Sequence, residues 1–166
     1  MRILILGSLL AAAPAMADVT SSGPDGFVSR SEAVIARPPA DVWKALTSWD
    51  QWWDPAHSYS GKVTLNPNAG GSLSESWPGG SVLHATVVAA LPPQLLRLHG
   101  GFGPLQNVPA NAVLTFTLKP EGRGTRLTMT YSVGGPASAK LDALAAPVDA
   151  VMTAGFQRLQ RFATTP

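Results

Sequence analysis

"PPADVWKALTSWDQWWDPAHSYSG", residues 38–61, decides how the rest of the chain is read. Pro38 and Pro39 suit a helix entry, because proline fixes φ near the helical value and its missing N–H is no loss in the first turn. Asp41 falls in that turn, where the helix dipole favours a carboxylate. Val42, Trp43, Leu46 and Trp49 then form one apolar stripe, and a second turn of helix follows. Asp54-Pro55 ends the helical character, since the residue before proline is pushed out of the α region. His57, Tyr59 and Gly61 lie on the loop beyond. Four of the chain's five tryptophans, Trp43, Trp49, Trp52 and Trp53, sit here. Such a cluster reads either as core packing or as part of a pocket wall. Tryptophan brings a large apolar face and one N–H that needs a partner when buried.

Upstream, residues 1–17, "MRILILGSLLAAAPAMA", have a positive start at Arg2, an apolar core from Ile3 to Ala13, and a small-x-small pattern at Ala15-Met16-Ala17. This predicts an export signal cleaved after Ala17 and a periplasmic or secreted mature protein. The run is too short and wrongly flanked for a membrane span, and none is expected in the mature chain. Residues 18–25 predict a flexible lead-in, and 26–164 a single domain of common size. Without cysteine there is no disulfide, thiol nucleophile or thiolate metal site. Twelve basic residues face ten acidic ones, with no basic stripe carrying interleaved aromatics, so a nucleic-acid partner is not expected. Only 13% of residues are charged, which fits a large apolar interior. The sequence leaves oligomeric state open.

Residues 26–37 alternate as a first strand, with Val28, Ala33 and Ile35 as its apolar members. After the tryptophan segment come short strands at 62–65, 72–77, 82–90 and 94–99, separated by "NPNAGG", "PGGS" and Pro92-Pro93. A Gly/Pro loop, residues 100–111, leads to two alternating strands. Leu114, Phe116 and Leu118 share one face of the first, and Leu127, Met129, Tyr131 and Val133 one face of the second. Six strands with short turns predict an antiparallel meander. The end of the chain has helical periodicity from Leu141 to Phe162. Pro147 is read as the start of the final helix, with 138–146 as a separate turn or helix. Gly155, costly within a helix, points to a packing gap or a close backbone approach.

This order resembles the START-like, or SRPBCC, helix-grip superfamily. The resemblance is carried by "ARPPADVWKALTSWDQWW", "VVAALPPQLLRL" and "LTFTLKPEGRGTRLTMTY". It is greatest to the branch of polyketide cyclase-like proteins and relatives of the heat-shock ATPase activator. It implies an α+β fold in which a curved antiparallel sheet, in β-α-α-β6-α order, wraps around a long C-terminal helix with an apolar cavity between them. It does not imply one activity, because fold is not function.

Several residues are candidates for the site. Read with a four-residue loop at Pro78–Ser81, the hairpin sets Trp77 opposite Val82 and Glu75 opposite His84. Leu73, Glu75 and Trp77 share a face away from three serines, so Glu75 is expected to point inward beside His84. A buried carboxylate is costly unless a neighbour relieves it. The pair is structural, or orients a ligand's polar group, or is catalytic, with His84 as base or Glu75 as an acid of raised pKa. With His57 the two form a set that could hold zinc, but no metal motif resembles it and no metal or cofactor is expected. The expected ligand-binding residues are Trp53, His57, Tyr59, Trp77, Phe102, Phe116, Met129, Tyr131, Met152 and Phe156. Loop 100–111 reads as a lid or as an ordinary connection.

The first functional expectation is an exported binding protein for a small apolar or amphipathic molecule. The alternative is a cyclase- or hydrolase-like enzyme using Glu75 and His84. A protein-interaction module is a third reading, which export makes less apt because the cytosolic ATPase is not outside the cell.

Overall fold

In the computed structural model, which describes residues 16–165, one antiparallel sheet is laid against a long helix. β1 (Met16–Gly23) and β2 (Gly26–Ile35) form a hairpin, followed by α1 (Pro39–Thr47) and α2 (Trp49–Trp52). Then come β3 (Thr64–Leu65), β4 (Ser72–Trp77), β5 (Gly80–Leu91), β6 (Leu95–His99), β7 (Asn111–Glu121) and β8 (Gly124–Gly134). α3 (Asp142–Thr164) ends the chain. The strand order is β1-β2-β8-β7-β6-β5-β4-β3, so the six-strand meander closes onto β2. This is the helix-grip arrangement, an α+β fold with the curved sheet around α3.

The sequence pattern explains the sheet's centre. β7 and β8 pair Leu114 with Tyr131, Phe116 with Met129 and Leu118 with Leu127, and all six are buried. Between them Thr115 pairs with Thr130 and Thr117 with Thr128 on the outer face. α3 answers with Ala145, Val148, Met152, Gly155, Phe156, Leu159 and Ala163, buried at the spacing of one helix face. Trp49 and Trp52 complete the core, their rings 4.4 Å apart, with Phe116 edge-on to Trp49.

Several expectations are corrected. Residues 18–25 are not a flexible lead-in, because β1 runs to Gly23 and pairs with β2. The proposed export signal, 1–17, lies outside the described residues apart from Met16 and Ala17. In β2 the buried positions are Phe27, Ser29, Ser31, Ala33 and Ile35, so Val28 sits on the other face. Ser29 is tolerated inside because its hydroxyl donates to Asp149 on α3. α3 is a single helix with Pro147 in its second turn, not two pieces. The proline removes a hydrogen bond to the Ala143 carbonyl, but Ala143 is exposed and water can take that acceptor. Gly155 marks a close approach: a Cβ there would lie 2.7 Å from the Trp53 ring.

Candidate functional site

A cavity of about 390 Å³ lies between the N-terminal half of α3, the segment after α2, strands β4–β5 and the loop before β7. Trp49, Trp53, Leu73, Phe102, Val148 and Met152 supply most of its apolar wall. His57, Ser58, Tyr59 and His84 supply its polar atoms, and no lysine, arginine, aspartate or glutamate lines it.

His84 is part of this wall, and Glu75 stands directly behind it. β4 and β5 are joined by a two-residue turn, Pro78-Gly79, in which Gly79 has a φ of +98°. Trp77 therefore pairs with Gly80 and Glu75 with Val82, not with Val82 and His84 as expected. The slip is of two residues, so the faces are preserved. Leu73 then pairs with Ala85 while Ser74 pairs with Leu83, leaving His84 as the extra residue of a β-bulge. The bulge buries the consecutive residues His84 and Ala85. His84 Nε2 and Glu75 Oε1 are 2.8 Å apart across the diagonal.

The other carboxylate oxygen of Glu75 accepts from the Ser58 hydroxyl, the Ser60 backbone N–H at 2.7 Å and the Ser60 hydroxyl at 2.8 Å. Burial alone would raise the pKa of this carboxyl. The bonds from Ser58, the Ser60 backbone, His84 and the Ser60 side chain outweigh burial and hold it at about 2. Glu75 is thus a fixed anion, which corrects the expectation of a general acid with raised pKa. His84 Nδ1 is buried and has no protein partner, and the same is true of Trp49 Nε1.

The structure brings Trp53, His57, Tyr59, His84, Phe102 and Met152 to the cavity. It does not bring Trp77, Phe116, Met129, Tyr131 or Phe156 there. Phe116, Met129, Tyr131 and Phe156 are buried where sheet and helix meet, and their own side chains fill that space. Trp77 lies over Gly80 and stacks on Tyr59, with ring centroids 6.1 Å apart and planes at 4°. His57 is exposed at the cavity wall, and among the described residues no three His, Asp or Glu side chains converge to hold a metal. The loop before β7 is fastened rather than free. The Tyr131 hydroxyl accepts from Phe102 N–H at 3.1 Å and donates to the Gly100 carbonyl at 3.4 Å. Leu105 is buried, and Gln106 donates to the Leu83 carbonyl.

Sequence reasoning missed Ser58 and Ser60, which clasp Glu75, and Pro147, Val148 and Val151, the helical side of the wall. The serines flank Tyr59 at alternate positions, a spacing that lets both reach one acceptor. It also missed Arg158, which donates to the Trp52 carbonyl at 2.9 Å and so ties the tryptophan segment to α3.

Comparison with known proteins agrees with this architecture. A crystal structure of protein MLL2253 from Mesorhizobium loti has a TM-score of 0.61 and 24% identity, covering 81% of this chain and 95% of that one. A protein from Rhodobacter sphaeroides has a TM-score of 0.59 and 21% identity, covering 87% and 95%. The solution structure of CalU16 from Micromonospora echinospora has a TM-score of 0.59 and 17% identity, covering 95% and 76%. At these identities the likeness is one of fold. No curated protein matches the chain. The family model described as polyketide cyclase / dehydrase and lipid transport matches residues 26–163, from the start of β2 almost to the end of α3. The chain therefore belongs to the polyketide cyclase / dehydrase and lipid transport family.

Proposed function

We propose that the chain is a binding protein that holds a small apolar or amphipathic molecule in the cavity beside α3. The observation that carries this reading is a wall of tryptophan, phenylalanine, valine and methionine around about 390 Å³, with a single buried imidazole anchored from behind. Small-molecule sites are typically mainly apolar and carry a few placed polar groups. The volume suits about a dozen water-sized units, hence a ligand of roughly that many non-hydrogen atoms. The family description spans lipid transport as well as cyclase and dehydrase chemistry, and accords with an apolar ligand. The Arg2, apolar-core and Ala15-Met16-Ala17 pattern supports export, with the mature protein periplasmic or secreted.

Native mass spectrometry of protein purified from its own cell envelope tests the reading by a retained mass. A titration with 1-nitronaphthalene, a neutral quencher of about that size, followed by tryptophan quenching, tests it independently, because Trp49 and Trp53 line the cavity. No retained mass together with no quenching would remove the reading's support.

A second reading is favoured by one observation, the bond between an ionised Glu75 and His84. In an enzyme of the cyclase or hydrolase sort, His84 would be the general base and Glu75 would orient it. Turnover of the retained molecule separates the two readings.

A further inference from the structure

Resting on the binding reading above, we infer that Trp53 sets the upper size of the guest. Its ring bars the cavity from running on along α3, so the apolar body that enters is a compact one of about a dozen non-hydrogen atoms, not a long chain. The first support is where the wall stops on α3. Pro147, Val148, Val151 and Met152 line the cavity. The buried face of the helix continues beyond them as Gly155, Phe156 and Leu159, and none of these lines it.

Trp53 stands at that boundary. It lines the cavity, and the outer rim of its six-membered ring lies on Gly155, with Cζ3 2.7 Å and Cε3 3.1 Å from where a Cβ would be. A ring that meets the open volume and the bare helix backbone at once occupies space into which the cavity would otherwise extend.

The second support is that the ring is held in place. Its Nε1 donates to the His57 carbonyl at 3.1 Å, and the Trp53 backbone N–H donates to the Trp49 carbonyl at 3.0 Å. The rings of Trp49, Trp52 and Phe102 surround it, with centroids 5.6, 5.9 and 6.4 Å away. To swing aside, the ring would have to give up a hydrogen bond and these packing contacts. The third support is Gly155 itself. Glycine in a helix interior is unfavourable relative to alanine. Here its missing Cβ is what lets the ring reach the helix, so Trp53 and Gly155 act as one stop.

The test is a series of 1-alkanols from hexanol to tetradecanol, neutral because no charged side chain lines the cavity. Each displaces bound 1-nitronaphthalene from the mature protein, read by recovery of tryptophan emission. Wild-type affinity should climb about fourfold per methylene while the chain is still being buried. It should level off near a dozen non-hydrogen atoms, because further methylenes stay in water. Trp53→Ala should move this plateau to longer chains, so that tetradecanol binds roughly tenfold or more tighter than to wild type while hexanol gains nothing. A ring that merely supports the fold would, on removal, weaken every alkanol alike and leave the plateau where it was. Should Trp53→Ala fail to fold, Trp53→Phe keeps a ring on the same Cβ but loses the outer ring that lies on Gly155, and it should shift the plateau the same way by less. A wild-type affinity that still climbs through tetradecanol overturns the inference, as does a plateau that the folded variant leaves unmoved. So does the failure of every alkanol to displace the quencher, since a body of fitting size is then refused for a reason other than its size. If the quencher does not bind either, the binding reading falls too, an outcome distinct from binding without a size limit.

Discussion

Glu75→Gln is the change whose cost the structure lets one work out. The substitution keeps shape and removes charge from a group that accepts four hydrogen bonds. The carboxyl is held at about 2 against an ordinary value of 4.5, a preference for the ionised form worth roughly 3 kcal/mol. Counting bonds gives a similar figure. Each charge-assisted bond exceeds a neutral one by about 1 kcal/mol; with the amide oxygen at the serine side three bonds are downgraded, and the NH2 placed toward His84 no longer accepts from it. The variant should therefore lose about 3 kcal/mol at pH 7, seen as a fall in Tm of about 6–12 °C for a domain of this size. The pH dependence carries the sharper test. In the unfolded chain the carboxyl takes up its proton near pH 4.5, whereas the folded form resists until about pH 2. Between these values the unfolded state binds more protons, so wild-type stability drops as pH falls through that window. The contribution is complete above the upper value and gone below the lower one. Urea unfolding of both proteins from pH 7 to pH 3 should show the gap narrowing in the acid half. A gap that is absent at pH 7, or constant across the range, would refute the claim that Glu75 is a stabilised anion.

Tyr131→Phe removes the hydroxyl that fastens Phe102 and Gly100. It should cost about 1–3 kcal/mol and speed hydrogen exchange at the Phe102 amide, while unchanged exchange there would mean the loop is held by other contacts. Gly155→Ala sets two effects against each other. Helix propensity gains about 1 kcal/mol, but a Cβ 2.7 Å from the Trp53 ring should cost about 1–3 kcal/mol. A net loss with altered tryptophan emission is expected, and a more stable variant with unchanged emission refutes the contact. For export, N-terminal sequencing of the cell-envelope form should begin at Asp18, and an intact Met1 on cytosolic protein would contradict it.

Much of the fold was legible because its periodicities are clean. The threonine and apolar rows of β7 and β8 alternate without a break, and the strands pair as those rows demand. The helix after Pro38 announces itself by proline, aspartate and an apolar stripe. What the sequence hid depends on through-space partners. Ser29 and Ser31 look like solvent-facing residues, and only Asp149 on a distant helix reveals why Ser29 can be inside. The edge strand β1 was obscured because Ser and Gly are poor strand formers, and pairing with β2 overrides their propensity.

The candidate site was legible by composition and not by register. Glu75 and His84 meet as expected, but the assumed turn was two residues too long, and the bulge at His84 leaves no composition signal. The cavity wall was misplaced for a different reason. Strand parity tells which residues point inward, but not where the interior is full. Phe116, Met129 and Phe156 all point inward, and they occupy the space themselves.

Under the binding function proposed above, the two fastenings on either side of the cavity, Glu75 on the 58–60 segment and Tyr131 on the 100–102 segment, would bear on how a guest is selected. Loops that must be ordered on binding spend part of the interaction free energy on their own entropy, and they adapt to guests of many shapes. Here both covering segments are tied to the sheet beforehand. Little ordering remains to be done, so a fitting molecule keeps most of its contact energy. An oversized molecule, by contrast, has to break hydrogen bonds to enter. Selection in such a site runs by exclusion at fixed volume, and widening its guest range calls for loosening a clasp or altering the wall.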